Sequence, residues 1–256
     1  MVDFSQTLKS WRVARRYSQL DLALEAEISG RHLSFLETGR ARPSREMVVR
    51  LGEALQLPLD ARNQMLTQAG FAVRYAQRSW TDEEMRPISQ AVERMLSTHM
   101  PYPGLAVDRM WTIVQANPSA LTLFGMFGLG LGDSMIDLLL SGVLENVVEN
   151  WPDVAHHAAA RLRAESLAQG GVAKLDQAVA ALSSAEGASS EAASPVIPTV
   201  LRQGDMRLAM FSTIATFGTP EDLTLDDLKI ELYYPMDEAT RRAFEAMADT
   251  IGDAPR

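Results

Sequence analysis

The sequence predicts an all-α domain of five short helices, followed by an α+β domain built on an antiparallel sheet. The chain has 256 residues, which suits one small domain and one medium domain. Apolar residues recur at helical spacing over the first 70 residues, and short β-branched runs begin to alternate with helix formers near residue 104. We therefore predict a helical domain over 1–70, a linker over 71–87, where charge, aromatics and proline mix, and a second domain over 88–256.

The first domain shows start and stop signals for each helix. Ser18, Ser29 and Ser44 each precede a helical run, where a serine hydroxyl can accept hydrogen bonds from the N–H groups of the first turn. Gly39 follows the third helix as a C-cap, and Pro58 opens the fifth helix. The predicted helices span about 4–16, 18–26, 29–37, 44–56 and 59–69.

The second domain alternates strand and helix patterns. Asn117 and Pro118 are typical of an N-cap followed by the first helical position, which predicts a helix ending near Gly125. A Ser-, Ala- and Glu-rich segment at 187–194 is predicted to be a mobile loop. The remaining elements are a helix over 88–98, a hairpin of LAVD and WTIVQA, helices between 134 and 182, strands over 206–218 and 228–235, and a helix over 237–250. The predicted sheet has four or five strands.

The composition limits the cellular compartment and the types of site that the protein can have. The absence of cysteine excludes a disulfide framework, a thiolate zinc site and a cysteine nucleophile, and it fits a reducing cytoplasm. The N-terminal segment has no apolar run typical of a signal peptide. The one long uncharged run, 110–132, is interrupted by polar residues, proline and several glycines. We therefore predict a cytoplasmic protein with no membrane association.

Charge is divided unevenly along the chain. The total is −9, but residues 1–78 carry 12 Lys and Arg against 8 Asp and Glu, a net charge of +4. The remainder carries 12 against 25, a net charge of −13. Because charges act on one another mainly within a Debye length of roughly 10 Å, the local field of the basic head governs its attraction to phosphates.

A two-helix motif lies in the middle of the first domain. Gln19 opens the second helix, Ala23 lies within it, and Leu36-Glu37-Thr38-Gly39-Arg40 follows the third helix. With these residues the segment from about 4 to 70 resembles the lambda repressor and Cro type of helix-turn-helix, also called the xenobiotic-response-element family. The resemblance implies a sequence-specific transcription regulator that binds double-stranded operator DNA.

The resemblance also implies roles for individual residues. Gln19 would touch phosphate or the edge of the site, and the third helix would place Ser29, Gly30, Arg31 and Phe35 at the base-reading positions. Arg31 suits a bidentate pair with guanine O6 and N7, and Phe35 suits contact with a thymine methyl group. Gly30 departs from the family pattern, because it has no side chain with which to read a base.

Five charged residues surround this motif. Arg40, Arg42 and Arg45 flank the turn into the fourth helix, where they either clamp phosphates or form a solvated basic surface. Arg12 and Glu37 occupy positions that form an internal ion pair in some repressors of this fold, which implies a structural role. A single recognition helix reads few base pairs, so we also predict a homodimer with half-sites roughly 34–36 Å apart.

The second domain resembles the ligand-binding domain of MmyB-like regulators, which has a PAS-like fold. The residues that carry this resemblance are Pro101-Tyr102-Pro103, Val107-Asp108-Arg109, Trp111, Ala116-Asn117, Asn150-Trp151, Phe211-Ser212-Thr213, Phe217-Gly218-Thr219-Pro220, Glu231-Leu232, Pro235 and Asp237. The resemblance implies a small apolar ligand, such as a fatty acid or another lipophilic metabolite.

Candidate ligand contacts come from an apolar run and nearby cations. The run is more apolar than one packed face needs, and flexible methionines suit an adaptable pocket, although an ordinary core would give the same pattern. Arginines in the same domain are candidates to hold a carboxylate. The candidates are Phe124, Met126, Phe127, Leu131, Met135 and Leu139, together with Arg109 and Arg161.

Three other classes of protein compete with a ligand-sensing regulator. An enzyme is disfavoured, because the chain has no cysteine and only four histidines. Two of these, His156 and His157, are helix neighbours whose side chains diverge by about 100°, so no metal site is expected. A haem or flavin sensor is compatible with a PAS-like fold, although no cofactor is predicted. An antitoxin-type interaction protein has no need of the large acidic second domain.

Overall fold

The computed structural model describes residues 3–184, 196–218 and 220–252, which form two compact units. The first unit contains the described residues of Met1–Gln77, Ser166–Val172 and Thr219–Asp226, and the second contains those of Arg78–Glu165, Ala173–Gly218 and Asp227–Arg256. Within the described ranges, no helix combines the length and the apolar character needed to cross a bilayer.

Five helices form the bulk of the first unit. Ser18, Ser29 and Ser44 cap the second, third and fourth helices, since each hydroxyl accepts a hydrogen bond from a first-turn N–H group. Gly39 follows the third helix with a φ of +69°, the left-handed conformation that favours glycine. The helices are α1 (Phe4–Ala14), α2 (Gln19–Glu25), α3 (Gly30–Glu37), α4 (Arg45–Ala54) and α5 (Leu59–Gln68). The predicted all-α five-helix domain is therefore confirmed.

The core of the first unit draws on every one of its five helices. Leu8 of α1, Leu22 of α2, Leu36 of α3, Leu51 of α4 and Met65 of α5 are fully buried there. Each helix is too short to be stable alone, so burial of this shared apolar stripe holds the domain together.

Two later segments complete the first unit. They are Ser166–Val172 and Thr219–Asp226. Gly170 has a φ of +82°, and a Cβ there would lie 2.6 Å from Cζ2 of Trp11, so both backbone and space exclude a side chain. The backbone N–H of Leu59 donates to Oδ2 of Asp226 at 3.0 Å. Asp226 thereby supplies an acceptor to the first turn of α5.

The second unit contains a five-stranded antiparallel sheet in the order β2-β1-β5-β4-β3. The strands are β1 (Gly104–Val107), β2 (Ile113–Ala116), β3 (Thr199–Gln203), β4 (Met206–Thr216) and β5 (Lys229–Pro235). Alternate residues of a strand share a face. In the register that pairs Ser212 with Tyr233, Glu231 and Tyr233 therefore lie on one face of the central strand. The predicted α+β domain with an antiparallel sheet is confirmed.

Helices precede, separate and follow these strands. A short 3-10 helix (Glu83–Met85) leads into α6 (Arg86–Thr98). As predicted, Asn117 caps α7, with its side chain accepting from the N–H of Ala120, and Pro118 follows it in the first turn. The other helices are α7 (Pro118–Gly125), α8 (Met135–Leu140), α9 (Val143–Val147), α10 (Trp151–Ala168), α11 (Ala173–Leu182), α12 (Leu223–Asp226) and α13 (Glu238–Gly252).

Strand β3 is the sheet element that the sequence pattern did not predict individually. Its Thr-Val-Leu start is short and is followed by two polar residues. The available signal was Gly204-Asp205, a typical two-residue hairpin connection between β3 and β4, where Gly204 has a φ of +59°. The loop predicted at 187–194 lies outside the described residues.

Candidate functional site

Helix α3 presents one side to the core and another to solvent. Leu33, Leu36 and Glu37 are buried, whereas Arg31 is exposed and Phe35 is half-buried. Cζ of Arg31 lies 5.3 Å from the centroid of the Phe35 ring, in a cation–π contact four residues along the same helix. This contact favours an orientation in which the exposed guanidinium lies over the Phe35 ring.

The N-terminus of α3 is open to a close approach. Ser29, predicted to read a base, uses its hydroxyl to accept a hydrogen bond from the N–H of His32 at 3.2 Å. A Cβ built on Gly30 would meet no atom within 4 Å among the described residues. The glycine therefore fills no packing role inside the unit, and the bare backbone leaves room for a phosphate or a base edge.

A buried ion pair joins α1 to α3. Arg12 donates from Nε to Oε1 of Glu37 at 2.6 Å and from Nη2 to Oε2 at 3.0 Å. The two side chains are only 11% and 2% exposed. Gln19 of α2 donates from Nε2 to Oε2 of the same carboxylate at 2.7 Å. The predicted internal pair of Arg12 and Glu37 is present, and it also fixes the amide of Gln19 at the start of α2.

The ion pair sets the ionisation of Glu37. Burial acts to raise the pKa of this carboxyl, but hydrogen bonds from Arg12 and Gln19 and the charge of Arg12 outweigh it and hold the pKa below its usual value. The hydrogen bond to Glu37 likewise raises the pKa of Arg12, against the effect of burial. Both groups are therefore charged in the folded domain near neutral pH.

The three arginines after α3 face solvent. Arg40 and Arg42 are exposed, and within the described part of the chain no acidic side chain pairs with either of them. Arg45 is exposed in the first turn of α4. The exposed guanidinium groups on this surface are accessible to phosphates.

The second unit holds a cavity of about 260 Å³. Side chains of α7–α10 cover one side of it, and side chains of β3, β4 and β5 cover the other. An apolar cavity of about 150 Å³ is already large enough to bind benzene, so this one can hold a larger molecule. Most of the lining is aliphatic or aromatic, which suits a lipophilic ligand.

Some of the predicted ligand contacts line the cavity and others do not. Five of them line it: Phe124, Phe127, Met135, Leu139 and Arg161. Three lie outside the lining: Met126, Leu131 and Arg109. Met126 and Leu131 are 40% and 61% exposed, because the turn after α7 directs them to solvent while their neighbours face inward.

Polar residues that the sequence prediction had not assigned to the ligand also line the cavity. Trp111, Ser212, Glu231 and Tyr233 are among them. Glu231 is only 5% exposed. The signal in the sequence was a single acidic residue inside the otherwise apolar strand pattern of LKIELYYP, since a charge buried in a strand is rare without a partner.

Metal binding finds no geometric support in the portion of the chain described. Nowhere in it do three His, Asp or Glu side chains gather in a way that could hold a metal ion. His156 and His157 are in edge-to-face contact with each other, with ring centroids 5.6 Å apart, on α10.

Comparison with known proteins gives little beyond the family level. No curated protein matches the chain significantly. One solved structure, described as "Structure of an RNA-binding Light-Oxygen-Voltage Receptor", is 12% identical over 96% of this chain and 63% of that chain, with a TM-score of 0.30. The chain thus spans less than two thirds of that protein, and a likeness this low carries no argument about function.

The family comparisons agree with the two units of the fold. The model described as a helix-turn-helix domain matches residues 3–65. The model described as the MmyB-like transcription regulator ligand binding domain matches residues 88–247, more than half of the chain. Both families are regulatory domains, one for DNA and one for a small molecule. The chain therefore belongs to the MmyB-like transcription regulators, in which a helix-turn-helix domain is joined to a ligand-binding domain.

Proposed function

We propose that this protein is a homodimeric, cytoplasmic regulator that binds a specific operator through α3 and changes its DNA affinity when a small lipophilic molecule occupies the second unit. It regulates transcription and does not catalyse a reaction. The observation that carries the DNA-binding half is the exposed Arg31, held over Phe35 beside the uncovered backbone of Gly30. The acyl chain of a fatty acid, or another lipophilic metabolite, suits the apolar part of the cavity lining.

Arg31 and Arg42 should contribute to DNA binding in different ways. Arg31→Ala should weaken binding to the specific site by about 1–3 kcal/mol and relax the preference at one base pair, because it removes a base contact. Arg42→Ala should weaken binding to all sequences alike and lower the slope of log affinity against log salt by about one, because it removes a phosphate contact. Binding isotherms on specific and scrambled duplexes, over a range of salt, measure both effects.

Arg163→Ala serves as a control for this pair, since it removes an exposed arginine from the second unit. It should leave both specificity and salt slope unchanged. If Arg42→Ala alters which sequence is selected while Arg31→Ala does not, the two roles are reversed.

The recognition helix is short, which supports a dimer. α3 has eight residues and so a length of about 12 Å, enough to face only three or four base pairs. Two copies related by a two-fold axis double the site, with half-sites roughly 34–36 Å apart. Sedimentation equilibrium should show a dimer on operator DNA; a single protomer per operator at saturation contradicts the dimer.

Ligand sensing requires that occupancy and DNA binding be linked. A ligand changes DNA affinity only if it binds the DNA-competent arrangement with a different affinity from the incompetent one, and the coupling is then reciprocal. Protein stripped of the molecule that co-purifies with it should therefore differ in operator affinity by about 1–3 kcal/mol from the loaded protein. Equal affinities would show that the molecule only fills the core.

A further inference from the structure

Five side chains form a connected polar group on the cavity lining. They are Trp111, Arg161, Ser212, Glu231 and Tyr233, here called the head-group cluster. Outside this cluster the lining is apolar apart from His157 and Thr199, so a lipophilic ligand meets most of the polar atoms of the cavity where the cluster lies. If the second unit senses a lipophilic molecule, as proposed above, the chemistry of the cluster selects its head group.

Glu231 provides a buried acceptor in this cluster. Ser212 donates from Oγ to Oε1 of Glu231 at 2.6 Å. Burial and the adjacent Glu231 carboxylate raise the pKa of Tyr233 well above its usual value, so this phenol stays neutral. The cluster thus carries one negative charge, on Glu231, and one positive charge, on Arg161.

Arg161 is held by partners on two sides. Its Nη1 lies 3.6 Å from Oε1 of Glu231, and its Nε lies 3.5 Å from Oε1 of Glu165. Its Cζ lies 4.2 Å from the centroid of the Trp111 ring. The Nη2 nitrogen is buried and has no hydrogen-bond partner among the residues described. A buried donor of this kind favours a ligand that brings an acceptor.

The charge of Arg161 is already balanced by Glu231, because Glu165, its other acidic neighbour, is paired with Lys229 at 3.1 Å. This balance changes the head group that Arg161 favours. A carboxylate bound to Nη2 would bring a second negative charge close to Glu231, which is only 5% exposed, and like charges repel strongly where burial keeps water away. A hydroxyl or a primary amide can accept from Arg161 and donate to Glu231 at the same time. Such a head group satisfies both members of the pair and adds no charge.

We propose that the cavity selects an uncharged lipophile whose head group both donates and accepts a hydrogen bond, such as an alcohol or a primary amide, over the carboxylate of the same chain length. Arg161 donates to this head group and Glu231 accepts from it. The carboxylate of Glu231 is the specificity-determining group, because it repels an ionised ligand and gives a neutral donor a partner.

Four probes built on one alkyl chain test this proposal: octanol, octanamide, octanoate and methyl octanoate. Binding to the stripped full-length protein is measured by calorimetry at mildly alkaline pH, where octanoate is ionised. Octanol and octanamide should each bind at least about tenfold more tightly than octanoate. Methyl octanoate, which accepts but cannot donate, should bind more weakly than octanamide, because it leaves Glu231 without a partner.

A variant that removes the negative charge tests the role of Glu231. Glu231→Gln should raise octanoate affinity by about tenfold and remove the preference for the neutral probes. Glu245→Gln makes the same change of charge on α13, outside the cavity lining, and should preserve the preference. If Glu231→Gln fails to fold, the ranking of the four probes on the native sequence decides the matter.

The outcomes separate this inference from the function on which it rests. Octanoate binding as tightly as octanol to the native sequence overturns the head-group assignment but leaves ligand sensing intact. An unchanged preference in folded Glu231→Gln also overturns it. If none of the probes binds and no molecule can be extracted from the purified protein, ligand sensing itself is rejected.

Discussion

Replacing Glu37 with alanine is expected to lower the free energy of unfolding of the helix-turn-helix domain by about 3–5 kcal/mol. The change leaves the Arg12 guanidinium, which is 11% exposed, without its carboxylate partner inside the domain. It also removes the acceptor of the Gln19 amide. Urea unfolding of the full chain, together with hydrogen exchange of the α1–α3 amides, measures the loss within this domain.

Matched changes show whether burial is the cause. Arg86→Ala breaks a pair with Glu83 of similar length, 2.9 Å, whose side chains are 62% and 84% exposed, and it should cost no more than about 1 kcal/mol. Replacing both buried partners, Arg12→Met with Glu37→Leu, should recover most of the loss, because no unpaired charge remains. A Glu37→Ala cost as small as that of Arg86→Ala contradicts the explanation.

The same pair gives the stability a defined dependence on pH. The pKa of Glu37 is lower in the folded state than the 4.5 of the free side chain, so its contribution is complete above pH 4.5. That contribution is lost as the pH falls from 4.5 through the folded pKa, where the carboxyl takes up a proton. The stability difference between the native sequence and Glu37→Gln should therefore be constant near neutrality and shrink in acid.

Filling the cavity from Ala158 should abolish ligand retention. Ala158 lines the cavity from α10, and phenylalanine at that position would occupy space that the ligand needs. We expect Ala158→Phe to lose ligand affinity by at least about 100-fold, equivalent to about 2.8 kcal/mol. Mass spectrometry of the denatured protein should find little of the co-purifying molecule.

The stability of this variant distinguishes filling from damage. Because the new ring enters existing space, Tm should stay unchanged or rise. Ala160→Phe places the same ring at an exposed position on the same helix and should keep the ligand. A native ligand content in Ala158→Phe would show that the cavity is not the binding site.

The helix boundaries of the first domain were predictable because their signals are local. Ser18, Ser29 and Ser44 each bond to an N–H group three residues along the chain, so neighbouring residues contain all the information. The core followed from helical periodicity for the same reason. The motif around Gln19 and Gly39 then pointed to a DNA-binding domain.

The candidate ligand site was only half predictable. Phe127 lines the cavity and the adjacent Met126 does not, although both are large apolar residues in the same run of the sequence. Glu231 and Arg161 are 70 positions apart in the sequence, and only the sheet register and the packing of α10 bring them within 3.6 Å. No local pattern encodes such a distance.

The sequence by itself determined most of the helices and strands, the two domain types and the regulatory class, because hydrogen-bonded caps, periodicity and a short motif act over a few residues. The tertiary structure alone decided that Gln19 shares a carboxylate with Arg12, that Ser166–Val172 belongs to the first unit, and which side chains enclose the cavity. These features depend on contacts between residues far apart in the chain, and such contacts form only when the whole apolar surface is packed.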